Sequence, residues 1–389
     1  MLPHDPLDHP GEAGRLASPE LPVFAVDVVH KLPDGRERRI AQLKPRHQRF
    51  ERAAVFFVYW KVRNPRSLPP SLFPIPSVSS LSMSLTRRVL LRASRSTWLA
   101  RQLSRRAFFR RAVRRFLPGE DLNAALTAAA ELSDAGLGSV VTQLGEQVTN
   151  RGEAAAVRDH YLRVLGEVRA RGLPTEISVK LTHLGLDVNP KACLQDLLAL
   201  AARAAEAGSF LWIDMEESRY VDVTLELFEA VRAAHAGVGV CLQAYLRRTP
   251  ADLEALLPLA PAIRLVKGAY NEPPAVAYPK KADVDAAYVT LAGRLMERAA
   301  RGEARPVLGT HDLPLLGRLR ERALAVGAAP GAYEVHMLYG IRTAEQRALA
   351  AEGVPVRVLI SYGTHWFPWY MRRLAERPAN VWFVLRNVI

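Results

Sequence analysis

Residues 176–216 have the sequence EISVKLTHLGLDVNPKACLQDLLALAARAAEAGSFLWIDME, which contains the repeat that decides the fold. The apolar runs 176–182 and 210–216 have the length of buried strands, and residues 194–207 between them have the spacing of an amphipathic helix. The stretch therefore predicts one strand–helix–strand unit. Its strand ends carry three charged side chains: Lys180, Asp214 and Glu216.

The same alternation extends to both sides of this unit. Eight runs in all have strand character: residues 139–145, 176–182, 210–216, 238–245, 263–269, 307–311, 333–338 and 356–362. Helical spacing fills gaps between them, as in residues 220–235, 285–301 and 313–326. Eight strands that alternate with helices within about 250 residues predict an α/β fold, a distorted (β/α)8 TIM barrel. A doubly wound sheet is the alternative, weakened because no GxGxxG motif follows a strand.

Composition divides the chain into three segments. Residues 1–82 are rich in proline and have no sustained period, so we expect them to be disordered or an extension of the gene model. Residues 83–118 hold eleven arginines between Arg87 and Arg115 with no acidic residue among them, which predicts basic amphipathic helices before the barrel. Residues 119–389 form the barrel itself, and we expect a final helix over its mouth.

The composition also excludes some classes of protein. No apolar run reaches the ~20 residues that span a bilayer, so the chain is not an integral membrane protein. Cys193 and Cys241 have no CxxC or Cys/His spacing around them, which favours buried, reduced thiols and a cytoplasmic location. The net charge of +14 arises mostly from the arginine-rich segment, where few aromatic residues support nucleic-acid binding.

Polar side chains stand at nearly every strand end, where a barrel of this kind holds its active site. They are Glu146, Lys180, Asp214, Glu216, Gln243, Arg264, Lys267, Thr310, His311 and His336. Isolated charges are costly to bury, so their convergence indicates a polar ligand. Lys180 suits a Schiff base or an anion site, and Asp214 suits a base, a metal ligand or a counter-ion. His183, His311, His336 and His365 raise a metal-hydrolase alternative, but they lack an HxH pair or a shared spacing.

A pair of arginines, Arg372 and Arg373, follows the eighth strand in the sequence PWYMRRLAER. Two guanidinium groups can hold one carboxylate through strong, directional hydrogen bonds. A surface helix with adjacent arginines is the alternative.

Taken in order along the chain, the strand ends resemble the proline dehydrogenase family from about Phe116 onward. The motifs that carry the resemblance are LGEQVT (144–149), SVKLT (178–182), IDMEES (213–218), QAY (243–245), RLVKGAY (264–270), THD (310–312) and YMRRLAER (370–377). The shorter, monofunctional bacterial branch is the most similar. The family comparison implies that FAD binds over the barrel mouth. Its expected contacts are Met215, Gln243, Arg264, Lys267, Gly268, Ala269, Thr310 and His311.

The resemblance further implies that Lys180, Arg372 and Arg373 bind the carboxylate of L-proline, with Lys180 steadied by Asp214. Hydride transfer from C5 to the flavin would give Δ1-pyrroline-5-carboxylate, and Arg264 would stabilise charge on the flavin. We assign catalytic roles to Asp214 and Arg264.

The resemblance also implies a gate, formed when Glu146 pairs with Arg372 as the site closes, and we assign Glu376 to the same gate. Electrons would pass to a membrane quinone, with residues 87–115 as a peripheral contact on the cytoplasmic face of the inner membrane. We expect neither a metal site nor nucleic-acid binding.

The chain departs from the family at Leu359, where most members have a tyrosine against the substrate ring. Leucine keeps an apolar wall but removes a hydroxyl and an aromatic face, which would relax the rejection of 4-hydroxyproline. A hydroxyproline-accepting dehydrogenase of the same family is therefore an alternative. Less favoured alternatives are a metal-dependent barrel hydrolase and a basic nucleic-acid-binding protein.

Overall fold

The computed structural model describes residues 29–31, 37–39, 113–367 and 369–370. These residues belong to two units of the chain, 1–71 and 72–389. The predicted basic helices before residue 113 and the predicted final helix beyond Tyr370 lie outside the described residues. The domain boundaries at 82 and 118 likewise remain predictions.

In the first unit, strands Val29–Lys31 and Glu37–Arg39 pair in antiparallel fashion, with Val29 opposite Arg39. This short ladder lies in a segment whose sequence has no sustained strand period. The remainder of residues 1–82 is outside the described part, so the predicted disorder or gene-model extension remains a prediction.

The second unit contains a closed barrel of eight parallel strands, so the predicted fold is confirmed. The strands are β1 (Gly138–Gln143), β2 (Thr175–Val179), β3 (Leu211–Ile213), β4 (Val238–Gln243), β5 (Ala262–Val266), β6 (Arg305–Gly309), β7 (Glu334–Leu338) and β8 (Val356–Tyr362). Each pairs with the next along the chain, and β8 closes the barrel on β1, with Tyr362 opposite Gln143. The alternative of an open, doubly wound sheet is excluded.

Besides helical residues at 113–114, 366–367 and 369–370, eight α-helices with both ends described accompany the strands of this unit. They are α1 (Leu122–Asp134), α2 (Arg151–Ala170), α3 (Pro190–Glu206), α4 (Val221–Ala234), α5 (Thr249–Leu256), α6 (Lys281–Ala299), α7 (Leu313–Ala325) and α8 (Thr343–Ala351). Helix α1 precedes β1, and the other seven connect consecutive strands. Among the described helices, none combines the length and the apolar character needed to cross a membrane.

Local sequence signals start several helices in the loops that follow strand ends. The side chain of Asn150 accepts a hydrogen bond from the Glu153 N–H at 2.9 Å, and Glu153 reaches back to the Thr149 N–H, also at 2.9 Å. This reciprocal capping satisfies the Glu153 N–H, which the first turn of α2 leaves unpaired, and the Thr149 N–H just before the helix. At the start of α3 the Asn189 side chain accepts from the Ala192 N–H at 3.1 Å, and Pro190 occupies the first helical position.

The lower part of the barrel interior is filled by side chains. Trp212 packs there and donates from its indole nitrogen to Glu176 at 2.6 Å. Arg305 forms ion pairs of 2.6 Å with both Glu176 and Glu334. Because paired charges and an aromatic ring occupy this end, the barrel is a packed core there, and its open space lies toward the carboxyl ends of the strands.

Strands β1 and β2 separate near the barrel mouth, where their register ends at the pair of Val141 and Ile177. One step further, the Tyr161 hydroxyl from α2 accepts from the Gln143 N–H at 2.9 Å and donates to the Ser178 carbonyl at 3.0 Å. The tyrosine thus provides hydrogen-bond partners for one N–H and one carbonyl that are no longer paired between the two strands.

Candidate active site

A cavity of about 640 Å³ opens at the carboxyl ends of the barrel strands. It is lined by the twelve described residues to which a site role was assigned: Glu146, Lys180, Asp214, Met215, Gln243, Arg264, Lys267, Gly268, Ala269, Thr310, His311 and Leu359. Glu216, also expected at a strand end, is not part of this lining and instead accepts hydrogen bonds from the Thr182 N–H and hydroxyl. The structure therefore brings the twelve lining residues together, while their individual roles remain predictions. Arg372, Arg373 and Glu376 lie outside the described residues, so their approach to Lys180 also remains a prediction.

Lys180 and Asp214 form an ion pair on the wall of this cavity. Lys180 Nζ lies 2.8 Å from Asp214 Oδ2, and the two side chains are 24% and 17% exposed. Burial is the largest single influence and opposes the charge on each group, but the neighbouring charges and hydrogen bonds together outweigh it. The pKa of Lys180 is therefore raised above its ordinary value, and the pKa of Asp214 is lowered to about 2, with Arg264 contributing. Both groups stay charged throughout the physiological pH range.

Arg264 is the most deeply buried cation of the cavity, with a side chain 5% exposed. Its Nη2 donates to Asp214 Oδ1 and to Ser178 Oγ, and its Nε donates to Cys241 Sγ. The guanidinium carbon lies 5.0 Å from the centre of the Trp212 ring. Burial alone would lower the pKa of Arg264, but Cys241 and Asp214 raise it. A permanent positive charge thus stands at the cavity floor.

Gln243 presents a buried acceptor without a partner among the described residues. Its amide nitrogen donates to the backbone carbonyls of Met215 and Glu216, each at 3.3 Å. These two bonds orient the amide, and the opposite atom, Oε1, has no hydrogen-bond partner. A buried acceptor left unpaired is unfavourable, so a ligand with an N–H donor suits this position.

Lys267 is held between two aspartates on the rim of the cavity. Its Nζ lies 2.6 Å from Asp285 Oδ1 and 2.7 Å from Asp312 Oδ2, and Lys281 contacts the same two carboxylates. Burial opposes the charge of Asp312, but its hydrogen bond with Lys267 helps to lower its pKa to about 2. Asp312 also caps α7, so this cluster fixes the β5 loop against the start of that helix.

Gly268 must be glycine for reasons internal to the protein. Its φ is +112°, a conformation that residues with a Cβ rarely adopt. A Cβ at this position would lie only 2.1 Å from the Tyr245 ring. Gly268 is also one of the predicted flavin contacts. That role remains a prediction, and the packing of Tyr245 is a separate requirement.

All four predicted histidines lie in the described part, and His365 lines the cavity. His311 Nε2 accepts from the Leu338 N–H at 2.8 Å, which leaves the proton of a neutral ring on Nδ1. Burial lowers the pKa of both His183 and His336 to about 4, so both are neutral near pH 7. Within the described ranges, no group of three or more His, Cys, Asp or Glu side chains is arranged to hold a metal ion.

Two residues that contact Asp214 and Arg264 were not among the predicted site residues: Cys241, which lines the cavity, and Ser178, which is buried behind it. Each stands two positions before a predicted one, Ser178 before Lys180 and Cys241 before Gln243. Since side chains two apart in a strand point to the same face, this spacing is a signal that would have identified both.

The family model of proline dehydrogenase matches residues 125–386. The chain belongs to the proline dehydrogenase family. A proline dehydrogenase of Deinococcus radiodurans is 36% identical over 280 residues, which are 71% of this chain and 89% of that relative. Proline dehydrogenase 1 of Bacillus subtilis is 34% identical over 276 residues, which are 71% of this chain and 90% of that relative. The resemblance predicted from the strand-end motifs is confirmed.

A solved structure with the same fold is that of proline utilization A from Bdellovibrio bacteriovorus inactivated by N-propargylglycine. It superposes with a TM-score of 0.65 at 22% identity, and the match covers 85% of this chain. The chain spans 42% of that longer protein. At 22% identity this likeness supports the barrel fold of the chain, but not its substrate or the roles of individual residues.

Proposed function

We propose that this proline dehydrogenase family member oxidises L-proline to Δ1-pyrroline-5-carboxylate, with FAD as the immediate electron acceptor. Family membership supports the substrate and the reaction class. The observation that carries the finer proposal is the buried Lys180–Asp214 ion pair, which stands in one cavity with every described residue expected to contact FAD.

The charge of Lys180 suits the carboxylate of proline. The ammonium group has three N–H donors, and Asp214 engages it at 2.8 Å on one side. Because Asp214 keeps the lysine protonated, the remaining donors are available to an anion at the pH of the cell. In this proposal Arg372 and Arg373 complete the carboxylate site from the segment beyond Tyr370, and Asp214 neutralises part of the concentrated positive charge.

Two orphaned polar atoms of the cavity fit a flavin. Gln243 Oε1 needs a donor, and Arg264 Nη1 has N–H groups with no acceptor among the described residues. An isoalloxazine ring has an N–H donor and carbonyl acceptors along one edge, so it can satisfy both. When bound, FAD would supply the acceptor for the hydride that leaves the proline ring. The other residues proposed to hold it are Met215, Lys267, Gly268, Ala269, Thr310 and His311.

In this proposal the chain contributes alignment and electrostatics. Lys180 fixes the carboxylate end of proline and thereby the orientation of its ring. Arg264 places a positive charge where negative charge increases during the reaction, in a site largely removed from water. Asp214 links the two cations, since its two oxygens contact Lys180 and Arg264 separately.

Glu146 lines the cavity and is proposed to pair with Arg372 when the site closes, with Glu376 in the same gate. The substitution Glu146→Ala is expected to raise KM for proline and to alter kcat, because the closed state loses an ion pair. Unchanged values of both would rule out gating by this pair.

The proposed final electron acceptor is a membrane quinone, reached from a cytoplasmic location through peripheral contact. The arginines between Arg87 and Arg115 support it, since each basic residue near an anionic bilayer adds about 1 kcal/mol of attraction. Flotation with phosphatidylglycerol vesicles is expected to carry the full chain at low salt and not at high salt. Absence of the chain from the vesicle fraction at low salt would contradict the contact.

A second substrate, 4-hydroxyproline, is suggested by Leu359, which lines the cavity where most family members have tyrosine.

Absorption spectroscopy tests the main proposal. The purified protein is expected to show flavin bands that L-proline bleaches under anaerobic conditions. A colourless protein that takes up no FAD on reconstitution, or flavin bands unaffected by proline, would overturn it.

A further inference from the structure

Four side chains form a closed ring of contacts: Asp214, Cys241 and Arg264, which line the cavity, and Ser178, which is buried behind them. The Ser178 hydroxyl donates to Asp214 Oδ1 at 2.8 Å and accepts from Arg264 Nη2 at 2.6 Å. On the other side, Cys241 Sγ accepts from Arg264 Nε at 2.8 Å and lies 3.7 Å from the same Asp214 oxygen as a donor. Serine and cysteine thus make the same two kinds of contact from opposite sides.

This arrangement fixes the direction of the Arg264 guanidinium. The group is planar and rigid, so holding Nε and Nη2 also sets the direction of Nη1. Nη1 is the nitrogen without a hydrogen-bond partner among the described residues. The direction of Nη1 therefore depends on Ser178 and Cys241, the two neutral acceptors of Arg264, as well as on Asp214.

The ring also determines which oxygen of Asp214 is left for Lys180. Ser178, Cys241 and Arg264 all contact Oδ1, whereas Lys180 contacts Oδ2. Loss of either the Ser178 hydroxyl or the Cys241 thiol would allow the Asp214 carboxylate to rotate. Such a rotation would change the geometry of both cations at once.

The backbone around Ser178 is held as well. The Tyr161 hydroxyl binds the Ser178 carbonyl at 3.0 Å, which fixes the strand at the point from which its side chain reaches the ring. Cys241 is a neutral acceptor for Arg264, because burial raises the pKa of its thiol despite the nearby arginine. Both observations indicate that the contacts which support the Asp214–Arg264 pair are in place before a ligand binds.

We propose that Ser178 and Cys241 are positioning residues for proline oxidation, which hold the Arg264 guanidinium and the Asp214 carboxylate in their working orientation. This inference rests on the proposed function. Ser178→Ala and Cys241→Ala are each expected to lower kcat about tenfold, with KM for proline changed by less than about threefold. The flavin midpoint potential is expected to become more negative, because a misaligned guanidinium stabilises negative charge on the cofactor less.

Two buried residues provide matched controls. Ser139 Oγ shares a hydrogen bond of 2.8 Å with Thr175 Oγ1 at the other end of the β1–β2 seam. Cys193 is a buried free cysteine on α3, with Sγ 3.9 Å from the Leu181 carbonyl. Ser139→Ala and Cys193→Ala remove a buried hydroxyl and a buried thiol away from the ring, so they are expected to affect thermal stability but neither kcat nor the potential.

The experiment measures kcat, KM, midpoint potential and thermal stability for the four alanine variants and for Cys241→Ser and Ser178→Thr. The last two retain the donor and acceptor, so they are expected to recover most of the kcat and the potential. If Ser178→Ala and Cys241→Ala resemble their controls in kcat and potential, the residues are merely structural and the inference is wrong. If the wild-type protein binds flavin and oxidises proline in that case, the proposed function stands independently.

Discussion

Lys180 Nζ lies 2.8 Å from Asp214 Oδ2, with both side chains more than three-quarters buried. Each charge is compensated chiefly by groups inside the cavity rather than by water. A buried pair of this kind contributes little net stability as a whole, yet the loss of one member leaves the other charge uncompensated. The consequences of changing Asp214 are therefore large, since it also contacts Arg264.

Asp214→Ala is expected to destabilise the protein by about 3 kcal/mol, because it leaves two buried cations without their carboxylate. Asp214→Asn keeps the size and some hydrogen bonds, so the loss is expected to be smaller. Urea unfolding measures both. Asp222, which is 75% exposed in its ion pair with Arg248, is the control, and Asp222→Ala is expected to change the stability little. Equal losses for Asp214→Ala and Asp222→Ala would contradict the buried-pair argument.

Acid sensitivity is expected from His336, whose pKa is lowered to about 4 by burial, with Arg264 opposing its protonation further. The unfolded chain takes up a proton near the ordinary value of 6.5, which the folded protein cannot do until about pH 4. The contribution of His336 is therefore fully present above pH 6.5 and declines as the pH falls toward 4, by about 3 kcal/mol in total.

Unfolding free energies at pH 7.5, 6 and 5 test this contribution. His336→Gln removes the titration and is expected to flatten the decline, while His183, with a similarly lowered pKa, continues to contribute. Met337→Leu, a buried change at the adjacent position of β7, controls for altered packing and is expected to keep the wild-type slope. An unchanged slope in His336→Gln would show that this imidazole does not titrate as proposed.

Gly268→Ala is expected to destabilise the protein more than a comparable change elsewhere. The Cβ would meet the Tyr245 ring at 2.1 Å in addition to the cost of a positive φ. Gly172 has a φ of +62° with nothing within 4 Å of its Cβ position, so Gly172→Ala isolates the backbone cost of about 1 kcal/mol.

The excess for Gly268→Ala over this control is expected to be about 1–3 kcal/mol, measured by urea unfolding. Because the displaced loop includes Lys267 and Ala269, bound flavin is also expected to decrease. Equal destabilisation by the two substitutions would mean that the Tyr245 ring moves away at no cost.

The sequence predicted the barrel and most of the polar strand ends at its cavity because both follow from periodicity, whereas Met215, Gly268, Ala269 and Leu359 followed from the family resemblance. Eight alternating units within about 250 residues leave few ways to close a parallel sheet, and strand ends necessarily meet at one mouth. The predicted strand ends were less accurate. The apolar pattern predicts a strand over residues 176–182, whereas β2 ends at Val179, because buried apolar residues continue into the loop that holds Leu181.

Contacts between distant residues could not be predicted in the same way. Lys267 pairs with Asp285, 18 positions later on α6, and no local pattern marks that partner. The contact of Arg264 with Ser178 joins residues 86 apart and depends on the curvature of the closed barrel. Such pairs depend on register and rotamer, which a single sequence does not specify.

Substrate choice is expected to depend on Leu359, whose side chain lines the cavity on β8. Leu359→Tyr adds an aromatic ring and a hydroxyl to this wall and leaves less room for the hydroxyl of 4-hydroxyproline. The ratio of kcat/KM for proline to that for 4-hydroxyproline is expected to rise about tenfold. Leu359→Met keeps the volume and apolar character, so its ratio is expected to stay near that of the wild type. Steady-state assays with both substrates measure the effect, and thermal unfolding checks that the variants are folded. A folded Leu359→Tyr variant with an unchanged ratio would show that this wall does not contact the substituted side of the ring.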